Sequence, residues 1–564
     1  MAAVLGPNIV VAAPTSDSLK EDYAAIDRRF DEAGGDFDTT LAAVREWDDL
    51  RRRLRTWQAL VRLRFRQDTR DESARKAREL ADALEPEIIA RDVAIKRRLL
   101  GHRVRDRLQT TFGAQAFRLW EADLRTYAPQ IDAALVEESS LEAEYTKLFG
   151  GINVEFGGRT ITLAEARGFL NHRDREMRHN AERARWSAIG RRCEELDRIF
   201  GGLVAVRDRI GKLLGGTDFV STGYARMQRV DYDASDVERW RNSVVADIVP
   251  LACEFVERCS ARLRHPIAWW DESVLVDADA NPIGDGASLV ARLPDVLGEV
   301  DSRLGTFAAF MRDRQYLDVF AREGKGPGGF CTSFPTEGHP YIFASFNGTK
   351  DDVKVLVHEM GHAFQSYLSR DLALEDYLTP TSESAEIHSM SLELLAWPAL
   401  ERYFGEHADA FRAGHLASRL LFLPYGCAID HFQHLVYARP NASAAERRDM
   451  WLQMERRYLP WRRYGDLEYP AAGNFWQAQL HVYSYPFYYI DYTLAECCAL
   501  QFWAQAQRNR TEAVERYVAL CARGGSASFR ELVSGAGLRS PFDGSALQFV
   551  AREAHDFLEA AELL

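Results

Sequence analysis

Between residues 36 and 100 the chain contains no glycine and one proline, Pro86. The stretch is rich in Ala, Leu, Arg and Glu, which lose little side-chain freedom in a helix. Apolar residues recur at three- and four-residue spacing through 41–66 and 72–84. That is the period of a helix with one buried face. So long a run predicts helices packed on helices, and it leaves little room for a sandwich or a barrel. Arg51, Arg52, Arg53, Arg55, Arg62, Arg64 and Arg66 fall inside it, flanked by Asp48, Asp49, Asp68, Asp71 and Glu72. The mixture predicts a solvated helix face and not a nucleic-acid patch.

The whole chain has 564 residues, with 71 Lys+Arg against 84 Asp+Glu, a net charge of −13. A dedicated nucleic-acid binder normally carries a basic excess. No uncharged apolar run approaches the roughly 18 residues of a membrane span. Residues 1–14 are apolar but lack basic residues ahead of the apolar core. They suit an ordered strand or tail better than a signal peptide. The eight cysteines, at 193, 253, 259, 331, 427, 497, 498 and 521, fit neither a disulfide framework nor a CxxC zinc site. They read as reduced core residues, which places the chain in a reducing, cytoplasmic compartment.

β signals are few. Residues 152–163 alternate on either side of Gly157-Gly158, a hairpin pattern. A helical stretch follows from about 163 to 214, punctuated by glycines at 201–202 and 215–216. A loose boundary near residue 197 divides the chain into an N-terminal helical region, 1–197, and a second region, 198–564. Residues 277–285 read as a loop. The glycine-rich loop 324–329 lacks the GKS or GKT ending of a phosphate loop. Residues 340–346 are β-prone, and Asn347-Gly348 then turns the chain into a helix. Thr349 with Asp352 three residues on resembles a capping box.

That helix carries His358-Glu359-Met360-Gly361-His362, an HExxH motif. Residues four apart share a helix face, so both imidazoles can grip one metal ion. Glu359 is rotated about 100° from His358. Its carboxylate therefore falls beside the metal and can take a proton from water. Two His and one carboxylate on zinc leave the open fourth position that catalysis requires. The competing reading is an ordinary amphipathic helix with two partly buried histidines.

A third ligand should come from a second helix. Pro380, Thr381 and Ser382 mark a helix start, and Glu383, Glu386, Ser389, Met390 and Glu393 then share one face. Glu383, in the first turn, suits the helix dipole. Glu386 lies one turn deeper, with 23 residues between it and His362. Glu393 could orient a ligand histidine from behind. His388 points off that face, as a packed or surface residue.

Three blocks carry a family resemblance. They are Phe343-Ala-Ser-Phe-Asn-Gly-Thr with Val-His-Glu-Met-Gly-His-Ala-Phe-Gln365, Ser384-Ala-Glu-Ile-His-Ser-Met-Ser-Leu-Glu393, and His481 with Tyr485-Pro-Phe-Tyr-Tyr-Ile-Asp-Tyr-Thr-Leu494. In order and spacing they resemble the thimet oligopeptidase/oligoendopeptidase F family of zinc peptidases, most closely its Pz-peptidase-like members. The resemblance implies a mainly α fold, two helical halves enclosing a deep cleft, with a small β element beside the HExxH helix. It implies one zinc on His358, His362 and Glu386, with Glu359 as catalytic base. It also implies that His481, Tyr489 and Tyr492 close over the substrate, with Tyr485 and Tyr488 as neighbours. Phenol and imidazole donors suit the oxyanion of a tetrahedral intermediate. The competing reading of these tyrosines and Tyr483 is aromatic core packing.

The resemblance implies that the 324–329 loop and the 340–346 strand line the cleft, with flexible glycines letting the loop adjust and a strand edge that could pair with an extended peptide; from the residues alone an ordinary connecting loop is an equal reading. The expected activity is internal cleavage of short peptides, with neither nucleic acid nor membrane as partner. The rivals are a zinc aminopeptidase, which would need an acidic anchor for the substrate amine, and a non-catalytic peptide-binding relative, which the intact Glu359 argues against.

Overall fold

The computed structural model describes residues 9–276, 281–326 and 328–564. The first eight residues, part of the 277–285 loop and Pro327 therefore lie outside the described residues. The fold is mainly α, as expected. Among the described residues five strands form two small sheets, and no helix is long and apolar enough to cross a membrane.

The glycine-free stretch is two helices, Phe37–Gln67 and Glu72–Leu100. They are separated at Asp71, whose carboxylate accepts from the Ser73 and Ala74 amides to cap the second. Their apolar faces meet in a core that includes Trp47, Trp57 and Trp120. The arginine run is not solvated throughout. Arg51 is buried, 2.6 Å from Asp48 and 2.7 Å from Asp376, with its guanidinium over the Trp47 ring. A buried guanidinium needs such partners on every side, and a partner more than 300 residues away in the chain leaves no local trace.

β1 (Asn153–Phe156) and β2 (Arg159–Thr162) form the expected hairpin. Gly157 and Gly158 take φ of +60° and +74° at its turn, the left-handed conformation such a turn needs. The helical stretch after it breaks into Leu163–Gly168, Arg175–Gly190 and Cys193–Leu213. Gly201 and Gly202 lie inside the last of these and do not interrupt it.

β3 (Leu317–Phe320), β4 (Phe330–Phe334) and β5 (His339–Phe346) form the second sheet in the order β3-β5-β4. β3 runs parallel to β5 and β4 antiparallel to it. Gly324 and Lys325, at the start of the glycine-rich loop before β4, are anchored. Gly324 accepts from the Thr69 amide at 2.8 Å. The buried Lys325 ammonium donates to the Asp318 carboxylate at 2.8 Å and to the Phe320 carbonyl at 2.9 Å.

The chain forms two compact units, interleaved along the sequence. The first comprises Met1–Tyr127, Asn281–Gly405 and Cys498–Leu538, and the second Ala128–Ala280, Glu406–Cys497 and Arg539–Leu564. Residue 197 falls within the second unit, inside the helix Cys193–Leu213. The first unit holds the β3-β5-β4 sheet and the HExxH helix packed against it.

Candidate active site

The HExxH helix, Lys350–Ser369, starts at Thr349. Thr349 makes no side-chain cap to it. The Asp352 carboxylate instead accepts from the amides of Asn347, at 3.0 Å, and Gly348, at 2.6 Å. The acidic half of the expected capping box is thus present, aimed further upstream than the pattern indicates. Val353, Leu356, Val357, Met360, Ala363 and Phe364 bury one face of the helix.

That face meets the second helix, Ser382–Leu395. At Gly361 the two backbones touch. A Cβ there would lie 2.6 Å from the His388 carbonyl oxygen and 2.6 Å from Ser389 Cα. Only glycine permits an approach that close, and the approach brings Glu386 up to the histidines.

The Glu386 carboxylate lies 3.4 Å from His358 Nε2 and 3.6 Å from His362 Nε2. Zinc bonds of about 2.0–2.1 Å in a tetrahedron set neighbouring ligand atoms roughly 3.4 Å apart, so the three donors fit such an ion. His358 Nδ1 is 2.8 Å from Glu393 Oε1. That bond keeps the proton on Nδ1 and turns Nε2 towards Glu386. Burial works to raise the Glu386 carboxyl, yet His362 and His358 hold it far below the ordinary carboxylate range. Burial opposes charge on His358, yet Glu386 and Glu393 raise it well above the usual imidazole value. The Glu386 shift favours the anionic carboxylate, the form that binds a cation, and the two histidines are its charge partners.

Glu359 stands apart from the trio. It is buried, and the Cys331 amide on β4 favours its charged form. Burial pushes its carboxyl up, against the pull of both histidines. Glu383 is also buried, but its carboxylate does not join the metal-holding group His358, His362 and Glu386. His388 is a packed residue, fully buried, with its ring pushed down to about 4 by burial. Its carbonyl accepts from the Tyr517 hydroxyl at 2.9 Å.

The second group lies in the second unit. His481 sits on the short helix Leu480–Ser484. Its ring centroid is 5.1 Å from that of Tyr489, 5.5 Å from Tyr488 and 5.9 Å from Tyr492. Tyr489 and Tyr492 open the helix Tyr489–Arg508. Burial pushes the Tyr489 hydroxyl up to about 12, so it remains a donor at neutral pH. Tyr485 is largely exposed beside this cluster. Tyr483 alone follows the core reading: it is fully buried and stacks on Tyr145 at 3.8 Å.

The turn between His481 and Tyr489 is held by residues that the sequence does not single out. Phe487 is fully buried with a φ of +66°. Bulky residues rarely adopt that conformation, which costs about 1–3 kcal/mol. Its amide donates to Gln433 at 2.6 Å, and its carbonyl accepts from Arg229 at 2.5 Å. Arg229 also donates to Asp491 at 2.6 Å, and both charges are fully buried. A positive φ at phenylalanine, and pairing across some 260 residues, leave no pattern in a linear sequence.

Peptidase family M3 matches residues 306–550, and the peptidase M3 N-terminal domain matches residues 8–127. A solved structure provisionally assigned as an oligoendopeptidase F is 40% identical, with a TM-score of 0.93, covering 98% of each chain. The chain belongs to peptidase family M3. The M3 peptidase is also similar to PZ peptidase A solved with an inhibitor, at 37% identity and a TM-score of 0.94, over 98% of this chain and 99% of that one. A third structure, provisionally assigned as an oligoendopeptidase F from Bacillus anthracis str. Ames, is 37% identical with a TM-score of 0.89 and covers 98% of each chain. No curated protein matches the chain.

Proposed function

We propose that the M3 peptidase cleaves internal bonds of short peptides. In this reading His358, His362 and Glu386 hold one zinc, Glu359 is the general base, and His481, Tyr489 and Tyr492 stabilise the transition state. The observation that carries the reading is the geometry of the trio. Two helices bring both imidazoles within 3.6 Å of one shared carboxylate oxygen, while Glu359 stays outside the set. The similarity to PZ peptidase A and to the oligoendopeptidase F structures supports the choice of substrate. Eight free cysteines support a reducing, cytoplasmic setting.

Zinc held by the trio supplies a Lewis acid that acidifies water and polarises a peptide carbonyl. Glu359 takes the proton from the attacking water and delivers it to the leaving amine. Glu393 fixes the ring of His358. Tyr489 and Tyr492 offer O–H donors, and His481 an N–H, to the oxyanion of the tetrahedral intermediate.

Tyr489→Phe keeps the ring's packing and deletes one donor. Loss of one oxyanion donor should lower kcat by about 10²–10³ with little change in KM. Steady-state kinetics on a quenched peptide check this. A selective rise in KM would make Tyr489 a substrate-binding residue instead.

Substrate size tests the reading as a whole. A blocked decapeptide, casein and a folded globular protein are incubated with equal enzyme. Ten extended residues span about 33 Å, close to the width of a small domain. The decapeptide should be cut internally and fast, and the other two barely or not at all. Its blocked ends exclude an aminopeptidase. Efficient casein digestion would sink the oligopeptidase reading and leave the zinc chemistry standing.

A further inference from the structure

A neutral imidazole carries one proton, so one ring nitrogen donates and the other accepts. Which one donates decides whether His481 can serve an oxyanion at all. The short helix that carries His481 is entered through Gln479. The Gln479 side-chain amide nitrogen lies 2.9 Å from His481 Nδ1. An amide NH2 only donates, so this contact makes Nδ1 the acceptor and leaves the proton on Nε2. The other end of the amide is engaged as well: its Oε1 accepts from the Tyr425 hydroxyl at 3.0 Å. A reversed amide would face Nδ1 with an oxygen and draw the proton there. Tyr425 is placed by packing edge-on against Phe475, with centroids 5.9 Å apart and planes at 90°. Its ring also meets Tyr489 edge-on at 5.7 Å. The chain Tyr425 to Gln479 to His481 thus runs one way, each group donating to the next.

We propose that Tyr425 and Gln479 are positioning residues that keep His481 in its Nε2–H form. The proposal rests on the reading of His481 as a donor to the tetrahedral intermediate. Neither residue touches substrate in this account. They act through the imidazole, as the partner of a catalytic histidine does when it sets the tautomer. A histidine among tyrosines could otherwise settle in either form, because hydroxyls accept as well as donate.

Gln479→Glu is the informative change, since it keeps the length and replaces the donor by an acceptor. The introduced carboxylate would draw a proton onto Nδ1. Below the titration of the coupled pair His481 is an imidazolium and Nε2 still donates. Above it the ring is neutral with the proton on Nδ1, and Nε2 turns a lone pair towards the oxyanion. The variant's kcat, taken as a ratio to wild type at each pH, should therefore fall through that titration by about 10², the effect of one lost donor. KM should stay near wild type. Gln479→Met, which neither donates nor accepts strongly, should lower kcat only a few-fold and show no such step.

The second measurement does not use activity. Imidazole 15N resonances of His481, assigned by comparison with His481→Gln in metal-free protein, report which nitrogen holds the proton. Wild type should show a protonated Nε2 and an accepting Nδ1, and Gln479→Glu should show a protonated Nδ1. A protonated Nδ1 in neutral wild type would overturn the proposal. So would a pH-independent loss of kcat in Gln479→Glu, which is what mere packing damage predicts. If His481→Gln keeps full kcat, the donor role fails, and the proposed purpose of the relay fails with it. The 15N result would then show whether the relay itself was read correctly, so the two failures are distinguishable.

Discussion

Glu359→Gln should bind zinc and peptide as the parent does and turn over far more slowly. The change is nearly isosteric at a buried position. No ligand atom of the trio is altered. What disappears is the group placed to receive a proton beside the site. General base catalysis is worth about 10²–10⁴ in rate, and the upper end applies when no second base can stand in. Three measurements together make the test: metal content by elemental mass spectrometry, dissociation constant of a competitive peptide inhibitor, and kcat. Comparable kcat in the variant would refute the base assignment. Lost zinc would show that Glu359 serves the metal directly.

Glu386→Ala should fail at an earlier stage, by losing the metal. It leaves two histidines, and Glu393 remains committed to His358 at 2.8 Å. Glu383 is one turn away on the same helix and cannot move in without unwinding that turn. Removing a residue behind the ligands costs about 10–100-fold in metal affinity, and removing a ligand should cost more. Zinc should dialyse away and activity should fall to background. The folded state should survive, because Gly361 and the apolar face of the HExxH helix still hold the two helices together. Circular dichroism separates metal loss from unfolding. Full zinc occupancy in this variant would remove Glu386 from the ligand set.

Much of this site is legible in the linear chain because its logic is local. His358 and His362 share a face by helix geometry alone, and Glu386 and Glu393 do so on the next helix. The need for a third ligand then calls only for a second helix with acid on one face. The choice between Glu383 and Glu386 is different. It depends on how one helix slides along another, which is a tertiary quantity. The family resemblance supplies it where residue patterns cannot. Arg51 misleads for the same reason. Its neighbours in sequence look solvated, while its partner Asp376 arrives from far along the chain. Gln479 and Tyr425 escape a reading of the sequence because no motif places them beside His481, and their meaning comes from what they touch. The interleaving of the two units is hidden in the sequence: the 277–285 loop spans one crossing, from Ala280 to Asn281, but nothing in it says that the chain is returning to an earlier unit.

Gly361 bears on how transferable the zinc-binding sequence is. The pattern His-Glu-x-x-His is commonly treated as five residues with two free letters. Here Met360 is fully buried, and position 361 is the point where two main chains meet. Grafted onto the helix of another scaffold, the five residues would present two imidazoles, and no oxygen would arrive to complete the set. The smallest portable unit is the crossing itself: a glycine on one helix, the backbone of 388–389 on the other, and the acidic side chain one turn before it. A designer building a zinc hydrolase from such a pair would have to choose the crossing first and the ligands afterwards.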